Sequence, residues 1–387
     1  MPTIQSFTLH ALELPFRKPF KHAAMERWTS DSILLQCILS DGSIGYGECL
    51  PRDYVTGESR DGTYDLLALD LLPRLIGLEI PSWQELIEFL TDCNGQSPEG
   101  WTDRGQPQTA AWAAIDLALL DAFGRSFKRS VQLGPKRSLP KSFRYSMVFS
   151  AASGWAFAKK LFLVRLYGFR QVKLKVSAEH AVEMVKTARK VLGSSIEIRV
   201  DANMAWDLPT ALELMPKLAD YGVRSFEQPL VPGDIDGLAR LVRDTGLEVM
   251  VDESLNDAAS LEALIQANAC TSLNVRISKC GGLVAAYNRC QRGLAEGLII
   301  QIGCQVGESS LLSSAQLALI AEMGESVQYG EGCFGHHLLK ADLMQPLLQF
   351  SYGGRPPSRP DGPGFGMTID PAILSASVTR SVNIERT

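Results

Sequence analysis

The chain has 387 residues, of which 45% are hydrophobic and 21% charged, values typical of a globular protein larger than one ordinary domain. Its net charge of −5 disfavours nucleic acid and anionic membranes as partners. No apolar run approaches the roughly 20 residues that a membrane span needs.

Cysteine usage and the first residues bear on the cellular compartment. The eight cysteines are scattered, without a CxxC pair or the spacing of a zinc site, so we expect free thiols in a reducing compartment. The chain opens directly into a strand pattern, and we therefore expect no signal peptide and a cytoplasmic protein.

The first third of the chain predicts a small α+β domain over residues 1–127. Residues 3–14 and 32–40 alternate apolar and polar side chains, which predicts antiparallel strands. The basic, proline-broken segment 15–22 between them predicts a loop. Helical periodicity then runs from about residue 62 to 127.

Two short stretches of this domain have a distinctive composition. Residues 45–48 follow an Asp-Gly turn signal, and a second loop covers residues 51–58. Residues 110–121 form an alanine-rich helical pattern, which predicts a closely packed helix.

From about residue 143 the pattern changes to alternating strands and helices. The first of these strands is predicted at 142–149, and the last two lie around 299–302 and 326–329, which gives eight strands in all. This pattern predicts a parallel α/β barrel over residues 128–350. The Gly- and Pro-rich segment 351–387 is expected to return to the first domain.

Charged residues recur at the ends of five successive predicted strands. Lys175, Asp201, Glu227, Asp252 and Lys279 follow one another at intervals of 25 to 27 residues, the length of one strand–helix unit. The carboxyl ends of barrel strands form the face that carries active sites, so we expect these side chains to converge there.

The three acids of this series suggest a metal site. Taken singly, each could form a salt bridge or a helix cap at its strand end. Three unpaired carboxylates that converge repel one another and raise one another's pKa, unless a divalent cation lies among them. Oxygen ligands without His or Cys favour Mg²⁺, with Mn²⁺ as the alternative.

The lysines on either side suggest proton transfer. Lys173 and Lys175 lie two residues apart on one strand and therefore share a face, although a solvated strand face gives the same pattern. A neighbouring cation lowers the pKa of a lysine toward neutrality, as a general base requires. A carboxylate substrate held by the metal would present its α-carbon to Lys175 and Lys279. One lysine would then remove the α-proton while the metal stabilises the enediolate.

Together these segments resemble the signature of the enolase superfamily, and more narrowly its muconate lactonizing enzyme subgroup, which has a lysine at both positions. Residues 45–48, 110–121 and 364–366 resemble the same family, so the likeness covers nearly the whole chain. The His–Asp dyad of the mandelate racemase branch does not appear where Lys279 stands. The segments that carry the resemblance are Lys173-Leu174-Lys175, Asp201-Ala202-Asn203, Glu227-Gln228-Pro229, Asp252-Glu253-Ser254 and Lys279-Cys280-Gly281-Gly282.

The resemblance implies a modified (β/α)7β barrel closed by a capping domain that the N-terminal segment and the C-terminal tail build together. It implies one essential Mg²⁺ held by Asp201, Glu227 and Asp252. Lys175 and Lys279 would be the acid/base pair, and Lys173 would tune Lys175. Barrels of this type commonly assemble, so we expect a homo-oligomer.

The expected substrate is a small-molecule carboxylate, and its contacts are expected at the barrel rim. The candidate contacts are Tyr54, Thr56, Asn203, Gln305 and Glu308, and for Glu308 a helix-start carboxylate is an equal interpretation. Residues 54–58 are similar to a loop of dipeptide epimerases, but the paired aspartates that those enzymes have near the eighth strand are replaced by the segment 331–337. Specificity is expected to come from residues 16–31, from 50–58 and from the last two strand ends.

The preferred hypothesis is a racemase or epimerase of an amino-acid derivative or dipeptide. The alternatives on the same scaffold are a muconate-type cycloisomerase and a dehydratase that resembles o-succinylbenzoate synthase. A Schiff-base aldolase would use one barrel lysine but has no need of three converging acids. A non-catalytic binding protein would have no need of the lysine pair.

Overall fold

The structure is a computed structural model that describes residues 1–22, 25–135, 137–150 and 153–386. An antiparallel sheet near the N-terminus consists of β1, β4 and β5 together with the last strand of the chain. A separate hairpin consists of β2 and β3. The N-terminal strands are β1 (Ile4–Leu12), β2 (Leu14–His22), β3 (Met25–Ser30), β4 (Ile33–Leu39) and β5 (Ile44–Cys49).

The prediction of a loop at residues 15–22 is wrong, because these residues belong to strand β2. It pairs antiparallel with β3, and the register is interrupted between Pro15 and Phe20. Pro19 lies in this interruption, where the missing N–H breaks no ladder hydrogen bond, so a two-stranded ribbon accommodates it. Residues 23 and 24, which fall in the expected specificity segment, lie outside the described residues.

The helices of the first domain pack on one face of its sheet. The predicted alanine-rich helix is confirmed: α5 is buried from Thr109 to Gly124. A π-helical turn, Leu67–Leu71, separates α2 from α3. These helices are α1 (Asp53–Thr56), α2 (Arg60–Leu66), α3 (Leu72–Leu75), α4 (Trp83–Cys93) and α5 (Thr109–Ser126).

Eight parallel strands form a curled sheet in their order along the chain. Each is short, between three and five residues, and most are buried. The strands are β6 (Met147–Phe149), β7 (Gln171–Lys175), β8 (Glu197–Asp201), β9 (Val223–Glu227), β10 (Glu248–Val251), β11 (Ser272–Val275), β12 (Ile299–Ile302) and β13 (Val327–Gly330).

One helix follows each of the first seven strands, which gives the expected (β/α)7β order. The first strand is shorter than the predicted 142–149, because the residues before it close the barrel instead: the Ser146 N–H donates to the Gly330 oxygen at 2.8 Å. The helices are α6 (Gly154–Leu166), α7 (Ala181–Leu192), α8 (Leu208–Ala219), α9 (Ile235–Thr245), α10 (Ala258–Gln266), α11 (Leu283–Ala295) and α12 (Ser310–Met323).

The C-terminal tail returns to the first domain, as expected. Two short strands, β14 (Met344–Gln345) and β15 (Thr368–Ile369), pair with each other, and α13 (Pro371–Ser377) leads into β16 (Val378–Glu385). Strand β16 then pairs antiparallel with β1, so both chain ends build one sheet. Within the ranges described, no helix is long and apolar enough to cross a membrane.

Candidate active site

The five charged residues of the predicted series come from five consecutive barrel strands. Lys175, Asp201 and Glu227 are the last residues of β7, β8 and β9, and their Cα atoms are paired in register. Asp252 follows β10 directly. Lys279 lies in a turn four residues beyond the end of β11, so its position depends on that turn rather than on strand register.

Lys173 lies at the centre of a buried cluster of charges. Its Nζ is 3.0 Å from Glu227 Oε1, 3.3 Å from Asp201 Oδ2 and 2.7 Å from Glu331 Oε2. Burial by itself would lower the pKa of this ammonium group, but the three carboxylates outweigh burial and raise the pKa above its ordinary value. Lys173 is therefore a fixed positive charge at neutral pH, not a proton acceptor.

Lys175 points toward open space at the same strand end. Its Nζ donates to Asn203 Oδ1 at 2.9 Å and is 3.5 Å from Asp201 Oδ2. The Asn203 backbone has a positive φ of 46°, and its N–H donates to Asp201 Oδ1 at 2.9 Å. Asn203 thus holds both the lysine and the neighbouring acid in place.

Lys279 is fully buried and donates to oxygen atoms on its own side of the barrel. Its Nζ donates to the main-chain oxygen of Asp252, to Asp252 Oδ1 at 2.9 Å and to the Asn274 oxygen at 3.0 Å. Burial lowers the pKa of Lys279 to about 8. A lysine with this pKa holds and releases a proton near neutral pH, as acid/base catalysis requires.

The three predicted metal ligands are buried and carry cationic neighbours. Burial would raise the pKa of Asp201, but Lys175 and Lys173 outweigh burial and lower this pKa well below its usual range. The guanidinium of Arg276 lies in close contact with Asp252 Oδ2. Glu227 accepts hydrogen bonds from Lys173 and, at 2.9 Å, from Asn274 Nδ2.

The donor set fits a hard divalent cation in its chemistry, since all three side chains supply carboxylate oxygens. Asp201 Oδ2 and Asp252 Oδ2 are buried and accept no well-aligned hydrogen bond. Among the described residues, however, no three acidic, His or Cys side chains are gathered closely enough to hold a metal ion. Lys173 contacts Asp201 and Glu227, and Arg276 contacts Asp252, so each of the three carboxylates already has a cationic partner.

A cavity of about 840 Å³ opens at this end of the barrel. Lys173, Lys175 and Arg276 line it, whereas Lys279 is not among the lining residues that the structure describes. The two candidate acid/base lysines therefore differ in access, because Lys175 faces the cavity and Lys279 lies beneath its surface.

The five candidate substrate contacts divide into two groups. Tyr54, Asn203 and Gln305 line the cavity. Thr56 is buried and donates to the Arg52 main-chain oxygen at 3.4 Å.

Glu308 is half-buried and is not among the described residues that line the cavity. It accepts the Gln305 N–H at 2.6 Å, and burial raises the pKa of Glu308 to about 8. For all five candidate residues, contact with the substrate stays a prediction.

Several polar residues of the barrel interior were not singled out from the sequence. Arg199 donates to Ser146 Oγ at 2.7 Å and to Glu331 Oε1 at 3.2 Å, and its guanidinium lies over the Tyr329 ring. Gln301 donates to Glu227 Oε2 at 3.3 Å. The sequence feature that could have indicated Arg199 and Gln301 is a polar side chain within an otherwise apolar strand. A polar side chain that is buried there requires a hydrogen-bond partner.

The barrel has seven strand–helix units and one further strand, and acids and lysines lie at its strand ends. A capping domain built from both ends of the chain covers it. This architecture is typical of enzymes with the enolase fold. Residues 156–373 match the family model "Enolase C-terminal domain-like". Residues 5–133 match "Mandelate racemase / muconate lactonizing enzyme, N-terminal domain". The chain belongs to this mandelate racemase and muconate lactonizing enzyme family of the enolase superfamily, and the predicted family is confirmed.

Relatives of known activity cover most of the chain. An N-succinyl-L-Arg/Lys racemase from Bacillus cereus is 30% identical over 81% of this chain and 82% of its own length. A muconate cycloisomerase from Acinetobacter lwoffii is 26% identical over 95% of this chain and 94% of its own. Both names are those of isomerases, so the expected enzyme class is confirmed.

Solved structures share the fold over the whole chain. The crystal structure of the B. cereus N-succinyl Arg/Lys racemase has a TM-score of 0.87 at 27% identity, and covers 99% of this chain and 100% of that one. A dipeptide epimerase from Cytophaga hutchinsonii, complexed with Mg and the dipeptide D-Ala-L-Val, has a TM-score of 0.81 at 22% identity, over 99% of this chain and 100% of that one. The expected modified barrel with its capping domain is confirmed.

Proposed function

We propose that the protein is a Mg²⁺-dependent isomerase that removes and returns the proton α to a substrate carboxylate, as a racemase or epimerase of an amino-acid derivative or dipeptide. The observation that carries this proposal is the order of side chains across five consecutive strands. A lysine comes first, three buried carboxylates follow, and a second lysine comes last. Proton transfer on both faces of a substrate uses one acid/base group on each face, and two lysines can fill these roles.

Asp201, Glu227 and Asp252 would hold the cation, with Mn²⁺ as a possible substitute. When bound, it supplies the positive charge that a carboxylate substrate needs as its α-proton leaves. Arg276 contacts Asp252 in the structure. We therefore propose that Arg276 releases Asp252 when the cation binds.

Of the two candidate acid/base lysines, Lys175 is the one that lines the cavity, and we assign to it the proton on the accessible face of the substrate. Its hydrogen bond to Asn203 fixes the direction of Nζ. Lys279 would serve the opposite face, where its pKa of about 8 suits both removal and return of a proton. The movement of Arg276 would open the path from Lys279 to the substrate.

Proton exchange with solvent tests this proposal. The protein would be incubated with Mg²⁺ in D₂O together with N-acyl amino acids and dipeptides, and α-deuteration followed by mass spectrometry. We expect exchange for both stereoisomers of a substrate. Lys175→Ala and Lys279→Ala should each stop interconversion, while each retains exchange with one stereoisomer only. An enzyme that turns over substrate without deuterium uptake would refute the proposal.

The unequal access of the two lysines favours a second candidate, in which one lysine does the chemistry alone. A muconate-type cycloisomerase or a dehydratase would use this arrangement. For such an enzyme one of the two lysine variants would keep substantial turnover, and N-acyl amino acids and dipeptides would show no exchange. Turnover of a muconate or of an o-succinylbenzoate precursor would then identify the reaction.

A further inference from the structure

The cavity has two chemically different ends. Lys173, Lys175 and Arg276 line the end at the strand termini. The other end, which we call the aromatic chamber, is lined by Phe149, Phe169, Phe334, Phe350, Tyr167 and Tyr352. Both sets of residues line one continuous cavity, so the substituent of a substrate held at the first end has space to extend toward the second.

The walls of the aromatic chamber are packed against one another around Phe350. The ring of Phe350 lies 5.8 Å from that of Phe169 and 5.6 Å from that of Phe334, both in edge-to-face geometry. The His337 ring lies 4.5 Å away. Phe169 and Phe350 are each only 6% exposed, so this side of the chamber is formed before any ligand arrives.

Among the described residues, the carboxylates that line the cavity leave a cationic substituent without an acidic partner at the chamber. Within the described part of the chain, the acids that line the cavity are Glu253 and Glu331. Glu331 is held 2.7 Å from Lys173, and Glu253 follows Asp252 directly, so both belong to the catalytic end. Lys160 of α6 also lines the cavity, and although it is exposed it adds a positive charge that disfavours an arginyl or lysyl group.

We infer that the aromatic chamber is the subsite for a bulky apolar substituent, aromatic or branched aliphatic, and that the enzyme discriminates against cationic side chains. This inference rests on the proposed function, because it concerns the substituent of that same carboxylate substrate. It separates this chain from the similar N-succinyl-L-Arg/Lys racemase. Contact with the buried rings of Phe169 and Phe350 removes an apolar group from water, which is favourable, whereas a charge placed there would lose hydration without gaining an acidic partner.

The first test measures binding by calorimetry in the presence of Mg²⁺, independently of catalysis. Two ligand series would be compared, N-succinyl-X and L-Ala-L-X, with X as phenylalanine, alanine or arginine. In the series that binds, we expect phenylalanine to bind at least about tenfold more tightly than alanine, and arginine most weakly. Equal binding of the three, preference for arginine, or absence of binding in both series overturns the inference.

Two variants on one helix provide a matched comparison. Leu163 and Leu166 of α6 are both exposed, at 41% and 57%, but only Leu163 lines the cavity. Leu163→Glu should weaken phenylalanine binding at least about tenfold and strengthen arginine binding, because it adds a carboxylate at the chamber. Leu166→Glu should leave both within about twofold. The same effect from both variants overturns the assignment of the chamber.

Deuterium exchange with the same ligands separates this inference from the proposed function. Preferred binding of the phenylalanine ligand without exchange on any ligand leaves the chamber assignment intact and refutes α-proton transfer on these compounds. Exchange that is fastest on the arginine ligand supports α-proton transfer and refutes the chamber assignment.

Discussion

At the scale of single residues, Lys173 has a structural role that its sequence position, two residues before Lys175, does not reveal. It is 2% exposed and lies within ion-pair distance of three carboxylates at the ends of three different strands. Removing one member of a buried charge cluster leaves the others uncompensated, which is far more unfavourable than losing a surface pair. Lys173 therefore neutralises the acidic end of the barrel.

We predict that Lys173→Met lowers the free energy of unfolding by about 3–5 kcal/mol, because it leaves buried carboxylates unpaired. Urea denaturation measures this change. Lys217→Met, which breaks the exposed pair with Glu213, is the control and should change stability by less than about 1 kcal/mol. Adding Glu331→Gln to Lys173→Met should recover part of the loss. Equal effects from Lys173→Met and the control would contradict this account.

Arg276, which directly follows β11, is the second residue whose contacts join different parts of the active site. Its guanidinium contacts Asp252 Oδ2 and donates to Gln305 Oε1 at 2.9 Å. It thus occupies one of the proposed metal ligands and orders a cavity-lining side chain at the same time.

We predict that Arg276→Gln tightens Mg²⁺ binding by about tenfold, because a competing cation is removed from a proposed ligand. Isothermal titration calorimetry with Mg²⁺ alone measures the affinity without requiring a substrate. Arg292→Gln is the matched control, since Arg292 pairs with Glu262 on the barrel surface and should leave the affinity unchanged. Weaker Mg²⁺ binding by Arg276→Gln would show that the contact does not compete with the metal.

At the scale of elements, the backbones of strand β5 and helix α5 are in direct contact. Gly45 and Gly47 face the helix from alternate positions of the strand. A Cβ at Gly47 would lie 1.9 Å from the Ala114 oxygen, and one at Gly45 would lie 2.1 Å from the Ala122 nitrogen. Glycine on the strand and alanine on the helix are therefore one packing unit.

We predict that Gly47→Ala destabilises the protein by about 3 kcal/mol or more, because neither backbone can move aside without separating the sheet from its helix. Thermal and urea unfolding measure the effect. Gly233→Ala is the control, since a Cβ there meets nothing within 4 Å. Equal stability of Gly47→Ala and the control would contradict the direct contact between β5 and α5.

At the scale of the whole molecule, buried carboxylates of the first domain hold the ends of barrel helices. Asp116 of α5 accepts the Leu283 N–H at 2.7 Å, at the start of α11. Glu48 of β5 accepts the Ser309 N–H at 3.2 Å and its hydroxyl at 2.6 Å, at the start of α12. Burial raises the pKa of Asp116 and that of Glu48 to about 7.

These raised pKa values make the domain interface sensitive to pH. The folded protein keeps a proton on each carboxyl up to about pH 7, whereas the unfolded chain releases it near pH 4. The folded state therefore binds more protons over this interval, and its stability falls as the pH rises from about 4 to 7. Each group contributes at most about 1.4 kcal/mol per pH unit.

We predict that Asp116→Asn removes part of this dependence, because the amide oxygen still accepts a hydrogen bond but carries no charge. The free energy of unfolding at pH 5 and pH 8 should differ less for Asp116→Asn than for the wild type. Asp236→Asn, at an exposed position of α9, should keep the wild-type difference. A wild-type pH profile for Asp116→Asn would contradict the linkage.

The sequence by itself determined the barrel, the family and the candidate catalytic series. Strand and helix periodicity are local properties, and the regular interval between Lys175, Asp201 and Glu227 fixes them at neighbouring strand ends once the strands are parallel. The alanine-rich helix was predicted for the same reason. The boundaries at residues 127 and 350 and the expected homo-oligomer stay predictions.

Only the tertiary structure decided which of these side chains are accessible and which others join them. Lys279 is buried because a turn, not a strand, sets its direction, and Arg276 reaches Asp252 from the end of the neighbouring strand. Phe149 and Phe350 lie some 200 residues apart in the chain and line one cavity only because the barrel closes. Such contacts depend on the distance between remote segments, which no local pattern in the sequence encodes.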